Sequence, residues 1–330
     1  VGEKQSVSEA NCRRVPWARG VHHLNKRTLK GAATIINIMK ISGFTFVKDA
    51  VKFDFPIVEC IRSMLPVVDE VIVNVGVSED GTLELIRQIS NPKITIFETL
   101  WEPEKQTKGR ILAEQTNLAL ARCNGDWCLY LQADEVLHEN DYERIYNAAC
   151  QNLEDTSVEG LLFRYYHFWG DWHHYIRSYH WYQNEIRIIR NRIGVSSYSS
   201  AGGFRISERK LRAKHTDAYI YHYGWVRPPE IMAKKKRYHD TLHHGDGWRD
   251  ERYSDASFDF VNQIDPFALT NFRRTHPLVM AQRIANRPVE YDFSKSKHHI
   301  TSKDRVNRIT DIFARTTGIR PGEYRNYRLL

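Results

Sequence analysis

The run Trp127-Cys128-Leu129-Tyr130-Leu131 ends in Gln132-Ala133-Asp134-Glu135. Carboxylates set directly after an apolar strand are costly unless a cleft uses them. Asp134 and Glu135 together could hold a divalent ion, which in turn could bridge a diphosphate. Alternatively, Asp134 caps a helix expected over residues 138–148. A second polar turn, Gly76-Val77-Ser78-Glu79-Asp80-Gly81-Thr82, offers acidic side chains able to hydrogen-bond a ribose or a base. Ser78 or Asp80 could instead cap the helix that follows. His222, in the aromatic stretch 219–225, could add a metal ligand through one ring nitrogen, or it could be a structural histidine. The adjacent His pairs at 173–174, 243–244 and 298–299 would point to opposite faces of an extended chain and make weak metal sites. Glu185 is a candidate general base, and Arg187, Arg190, Arg227 and Lys236 could neutralise phosphate charge. No GxGxxG, GxxxxGK[ST] or GxSxG pattern occurs, which disfavours dinucleotide, P-loop and serine-nucleophile sites.

These residues need elements to position them. Ile41, Phe44, Phe46 and Val47 predict a first strand, followed by a loop with Lys48 and Asp49. Pro56 fits the first turn of a helix whose apolar face is Ile57, Ile61, Met64 and Leu65, stopped by Pro66. The β-branched run 71–75 predicts a second strand, 82–89 a helix and 93–97 a third strand. A helix over 110–122 ends at Asn124-Gly125, and 127–131 is the next strand. This alternation predicts βαβ units and a parallel sheet. Binding sites in such sheets collect at the carboxyl ends of the strands. The loops at Lys48-Asp49, Ser78-Glu79-Asp80 and Asp134-Glu135 all fall there, so one cleft is expected.

Beyond Asp155 the texture changes to dense aromatics and histidines. Strands are expected at 161–165 and 186–190 in an antiparallel relation. A basic helix follows Pro229, a His-rich loop carries His239, His243 and His244, and a second basic helix spans 302–316.

The 330 residues are 42% hydrophobic and 27% charged, with a net charge of +8. That composition suits a substantial core and excludes wholesale disorder or an acidic, metal-buffering protein. The charge is concentrated at the ends: residues 1–38 carry a net +5 and residues 294–330 a net +6. Such ends suit an anionic membrane surface, glycan or nucleic acid, or plain solubility and pairing within the fold. No apolar run of membrane-spanning length and no signal peptide is readable. Five cysteines without a CxxC pair fit a reducing compartment and predict no thiolate zinc site.

Several ordered motifs resemble one family. Lys48-Asp49 follows the first strand, and the stretch 64–73 reads Met-Leu-Pro-Val-Val-Asp-Glu-Val-Ile-Val. The Gly76–Thr82 turn comes next. The segment from Asn117 to Glu135 then includes Ala119, Leu120, Gly125, Asp126 and Trp127. This order resembles the donor-binding half of family 2 glycosyltransferases of the GT-A class, most closely the bacterial branch acting on lipopolysaccharide core, capsule and related glycans. Trp181-Tyr182 with Glu185, Arg187 and Arg190 resembles the acceptor side. His222-Tyr223-Gly224, with Lys236 and Tyr238, resembles the segment that closes the site. Two departures stand out: the family's DxD is Gln132-Ala133-Asp134 here, and Asn74 replaces the usual acidic residue after the second strand.

The resemblance implies an α/β GT-A fold, with a mostly parallel central sheet flanked by helices and a small antiparallel portion. It implies a basic extension over 1–40, a catalytic domain over 41–230 and a helical, basic extension over 231–330. Within the catalytic domain, 41–137 would bind the donor and 156–230 the acceptor. The activity implied is inverting transfer of a sugar from a nucleotide-diphospho-sugar to a hydroxyl of a glycan or lipid-linked glycan. Asp134 and His222 would hold Mn²⁺ or Mg²⁺, Glu185 would act as base, and Asp134 and Arg187 complete the expected catalytic set. Lys48, Asn74, Gly76, Asp80, Lys108, Asn117, Gln132, Arg227 and Lys236 are the expected donor contacts. The expected location is cytoplasmic, with the basic ends touching the anionic inner membrane face. A homodimer is admitted and nucleic acid is not expected. The competing readings are a nucleotidyltransferase, which lacks its basic Gly-rich loop here, and a non-catalytic carbohydrate- or partner-binding module, which Gln132 favours.

Overall fold

The computed structural model describes residues 39–101, 109–244, 248 and 256–330. Most of the expected N-terminal extension, and Lys108, lie outside them.

Four parallel strands form the first half of the sheet: β1 (Ile41–Val47), β2 (Glu70–Gly76), β3 (Ile94–Thr99) and β4 (Trp127–Tyr130). They run in the order β3-β2-β1-β4. Parallel neighbours require crossovers, and three helices supply them: α1 (Ile57–Met64), α2 (Thr82–Arg87) and α3 (Arg110–Leu120). Because strand side chains alternate between faces, Ile41 and Val47 pack on one side with Ile57, Ile61 and Met64 of α1. Phe44 packs on the other side with Tyr130, Ala119 and Phe204.

Past β4 the sheet changes direction. The three-residue β5 (Glu135–Leu137) and helix α4 (Tyr142–Gln151) lead to the long β6 (Gly160–Trp169), then β7 (His174–Ile176) and β8 (Asn184–Arg190). β8 lies antiparallel to both β4 and β6 and joins the two halves. A small antiparallel sheet of β9 (Val195–Ser197), β10 (Phe204–Ile206) and β11 (Arg209–Lys210) follows. The long β12 (Arg212–Trp225) runs parallel to β6 and antiparallel to β5. Helix α5 (Pro229–His244) comes next, then β13 (Leu269–Asn271), α6 (Ala281–Asn286), α7 (Ser302–Thr317) and β14 (Arg328–Leu329), which joins β12.

The architecture is thus the mixed α/β one expected, with a parallel sheet, flanking helices and an antiparallel portion. Two local expectations are corrected. Residues 135–137 pair with β12 and α4 begins only at Tyr142, so Asp134 caps no helix. His239, His243 and His244 lie on α5 and not in a loop.

Candidate active site

β4 ends at Tyr130 and the chain turns through Gln132 and Ala133 to Asp134 before β5 begins. The β5–β12 register sets His222 opposite Glu135, and Tyr223 N donates to Asp134 O at 2.8 Å. The carboxylate after the parallel strand and the imidazole from the far half of the chain therefore meet at one point. A cavity of about 500 Å³ opens there. Its walls include Lys48 at the end of β1, Gln132, Asp134, His222, Lys235 and Lys236, with Trp101 and Tyr238 among the aromatic residues. Its size lies within the usual range for small-molecule sites.

Asp134 is buried and surrounded by cations. Lys235 Nζ donates to Oδ2 at 3.0 Å, and Arg227 Nη2 lies 3.8 Å from the same oxygen. Burial alone would push the carboxyl up; Lys235 and Arg227 outweigh it and hold Asp134 below the usual carboxylate range. The cations are perturbed in turn. Burial, with Arg227 nearby, pushes Lys235 down to about 8. Burial pushes Arg227 down to about 10 against the pull of Asp134.

The protonation of His222 follows from its partners. His167 Nε2 faces the carbonyl of Tyr182 at 2.7 Å, and a carbonyl only accepts, so that nitrogen carries the proton. Burial lowers the pKa of both His167 and His222, so both rings are neutral. His167 Nδ1 is then bare and accepts from His222 Nδ1 at 2.9 Å. His222 Nε2 is left with its lone pair, 3.8 Å from Asp134 Oδ1. Two acceptors face one another across a gap that a cation or a donor would fill. Gly224 keeps the gap open, because a Cβ there would stand 2.4 Å from His222 Nε2 and 3.1 Å from Asp134 Oδ2. Among the described residues no group of three or more His, Cys, Asp or Glu could hold a metal. The Asp134–His222 pair nevertheless suits a cation that draws its other ligands from a bound substrate.

Beneath this layer, Glu135 and Arg187 form a fully buried two-pronged ion pair at 2.7 and 2.8 Å. Glu135 also accepts from Tyr165 Oη at 2.8 Å and from Gln132 N at 3.0 Å. That network locks the Gln132–Glu135 turn, so Glu135 is an anchor and Asp134 is the carboxylate on the cavity wall. Glu185, also buried on β8, accepts from Asn326 Nδ2 at 3.3 Å. Burial pushes its carboxyl up to about 7 despite Arg187 and Asn326.

The model of glycosyl transferase family 2 matches residues 56–212, from the start of α1 to the start of β12. The match spans 157 of the 330 residues and makes that segment similar to the family. No curated protein matches the chain. Among solved structures it is similar to S. aureus TarS 1-349, at 19% identity over 38% of this chain and 35% of that one, with a TM-score of 0.30. TarS 1-349 in complex with UDP-GlcNAc aligns over 62% of this chain and 66% of that one, at 15% identity and a TM-score of 0.37. The mannosyltransferase PcManGT from Pyrobaculum calidifontis, in complex with GDP-Man and Mn²⁺, aligns at 21% identity over 37% of this chain and 34% of that one, with a TM-score of 0.29. The chain spans less than two thirds of the length of each.

The matched segment holds Gln132, Asp134, Glu185 and Arg187, whereas His222, Arg227, Lys235 and Lys236 are supplied from beyond it. Of the residues predicted from sequence, Lys48, Gln132, Asp134, His222 and Lys236 are brought together on the cavity wall, and Arg227 reaches Asp134 from behind. Gly76 acts through space: a Cβ there would lie 2.6 Å from Trp101 Nε1 and 2.8 Å from Lys48 Cβ. Asn74, Asp80, Asn117, Glu185 and Arg187 do not line the cavity. Asn74 is buried against Gln115 and Thr99. Asp80 accepts from Thr82 N and Lys52 N, and Asn117 brackets the backbone of Ser197.

Sequence reasoning missed Lys235 and Trp101, and named His239 and His243 only as part of a His-rich loop. For α5 a signal existed, since Lys235, His239 and His243 recur every four residues and so share one helix face. Trp101 had none. Its indole N–H, the Tyr238 hydroxyl, His243 Nε2 and two guanidinium nitrogens of Arg227 are buried without a hydrogen-bond partner among the described residues. Such groups are costly unless a ligand satisfies them.

Proposed function

We propose that the chain transfers a sugar, with inversion, from a nucleotide-diphospho-sugar to a hydroxyl of a glycan or lipid-linked glycan in cell-surface polysaccharide synthesis, of the lipopolysaccharide or capsule kind. The observation that carries this reading is the carboxylate of Asp134, ringed by Lys235, Arg227 and a neutral His222, at the carboxyl end of β4 in the segment that the family 2 model matches; the cavity's other carboxylate, Asp240, is paired with Lys236. A cavity that presents more cationic than anionic side chains suits a leaving diphosphate.

Asp134 and His222 Nε2 would hold the divalent cation, Mn²⁺ or Mg²⁺, which would supply further charge neutralisation at the diphosphate. Lys235, Lys236 and Arg227 counter the charge that builds as the bond from the anomeric carbon to the phosphate oxygen breaks. The bonding pair leaves with the nucleoside diphosphate, and the acceptor oxygen forms the new bond from the opposite face. Glu185, with its carboxyl raised towards neutrality, takes the acceptor hydroxyl proton. Trp101 and Tyr238 offer flat faces and free donors to the nucleoside. A lipid-linked acceptor suits a cytoplasmic protein whose basic C-terminal part rests on an anionic membrane.

The test is release of nucleotide from a panel of UDP-, GDP-, CMP- and dTDP-sugars, with and without Mn²⁺ or Mg²⁺, for the parent chain and Asp134→Ala. Metal-stimulated release from one donor class, lost in the variant, is expected. No release or binding with any donor overturns the reading. Gln132 in place of the first DxD carboxylate would then favour a non-catalytic carbohydrate-binding module.

A further inference from the structure

Helix α7 is amphipathic in the inverted sense. Asp304, Arg308 and Asp311 face the protein. Asp311 is buried and accepts from Tyr179 N at 3.2 Å. Arg308 makes a two-pronged pair with Asp265 at 2.7 Å, and Thr310 meets His180 at 2.9 Å. Asp304 closes a capping box with Thr301 and contacts His298. Both acids of the helix are thereby turned inward and occupied.

The outward face carries the apolar residues. Val306, Ile309 and Phe313, spaced three and four apart, form one stripe, with Ile312 beside it and Ile319 just past the Gly318 cap. Their exposures run from 43% for Phe313 to 67% for Ile309. Soluble helices bury such a stripe; this one presents it. Lys303 and Arg305 are also exposed on α7 and pair with no carboxylate among the described residues, whereas Arg315 turns back over the Phe267 ring, 4.9 Å from its centre. The unmatched surface is therefore apolar along its centre and basic along its margins.

We propose that this face of α7 docks on an anionic lipid bilayer, with the helix lying in the plane of the surface. A bilayer interface offers both things the face lacks, an apolar layer for the aliphatic stripe and negative headgroups for the margins. A second copy of the chain fits worse, because a two-fold contact would bring the basic margins of the two copies, with Lys303 and Arg305, together. The inference gives the membrane contact of the proposed function a definite surface, and its biological use rests on that reading, whereas its physics does not.

The test is flotation of the full chain with vesicles of 30% phosphatidylglycerol in phosphatidylcholine, and with phosphatidylcholine alone. Three chains are compared: the parent, Ile309→Asp/Phe313→Asp, and Lys303→Glu/Arg305→Glu. Soluble donor hydrolysis and size-exclusion light scattering are run on each. Binding to the anionic vesicles that falls at least tenfold in both variants, with hydrolysis unchanged, is the expected result. No binding by the parent, or equal binding by all three, overturns the proposal. So does a parent dimer that Ile309→Asp/Phe313→Asp dissociates while vesicle binding persists, since a second copy then covers the face. Vesicle binding as expected with no donor hydrolysis in any chain upholds the docking surface and removes the transferase reading.

Discussion

Glu185→Gln tests whether a carboxyl held near neutrality is the acceptor base. Burial raises the folded carboxyl from 4.5 to about 7. Between those values the folded chain keeps a proton that the unfolded chain has released, so stability falls as pH rises through that window. At about 1.4 kcal/mol per pH unit the full effect is about 3 kcal/mol, of which about 2.5 kcal/mol lies between pH 5 and pH 8. Gln fills the same space and does not titrate. The stability of the variant relative to the parent should therefore rise by about 2.5 kcal/mol over that interval. Urea unfolding followed by tryptophan fluorescence at several pH values reads it directly. If Glu185 is also the base, kcat of the parent should climb with pH to a plateau above about 7, and the variant should lose about 10²–10⁴ in kcat at every pH. A stability difference that stays constant from pH 5 to pH 8 refutes the buried-carboxyl argument. The expected stability slope with an unchanged kcat keeps the burial and removes Glu185 from the chemistry.

Further outcomes follow from the same geometry. Gly224→Ala places a methyl group 2.4 Å from His222 Nε2; metal-stimulated donor release should fall at least tenfold while overpacking costs only about 1–3 kcal/mol of stability, measured by calorimetry beside the kinetics. Lys235 is charged below about 8, so donor affinity should decline above that pH, and Lys235→Arg should move the decline to higher pH in a titration of nucleotide binding. Arg187→Met leaves Glu135 charged and unpaired in the core and should cost about 3–5 kcal/mol. Adding Glu135→Gln should restore part of that loss in a double-mutant cycle.

The parallel half of the fold was legible because each signal there is local. Ile41, Phe44, Phe46 and Val47 mark a strand, Pro56 starts a helix and Pro66 ends its apolar pattern, and the 71–75 run is β-branched. Asp134 was legible for the same reason, as a carboxylate at the end of an apolar strand. The partners of Asp134 were harder to read, because they depend on long-range pairing. β12 must lie beside β5 before His222 reaches Asp134, a separation of 88 residues in sequence, and no periodicity encodes that register. Lys235 was passed over for Lys236, its neighbour, since sequence places both on a basic helix and only the packing of α5 decides which ammonium points at the carboxylate. The stripe on α7 was visible as a basic helix, but whether its apolar side faces in or out is settled by Asp311 and Arg308, whose partners Tyr179 and Asp265 come from distant segments.

The single carboxylate in the Gln132-Ala133-Asp134 turn changes the charge balance of the site. With two acids, a divalent ion would be needed merely to neutralise the protein's own charge before any phosphate could bind. With one acid, Lys235 and Arg227 already outweigh it, so the empty cavity carries positive potential on its own. Donor affinity should then survive chelation to a degree that a two-acid site would not allow, while turnover remains sensitive to the cation at Asp134 and His222. Gln132→Asp separates the two contributions. It adds a negative charge beside Asp134, and should weaken nucleotide binding in EDTA at least tenfold yet leave binding in saturating Mn²⁺ within about threefold, by calorimetric titration. Equal losses under both conditions would show that the cations do not hold the diphosphate. The positive charge of Lys235 and Arg227 would then serve only to keep Asp134 ionised.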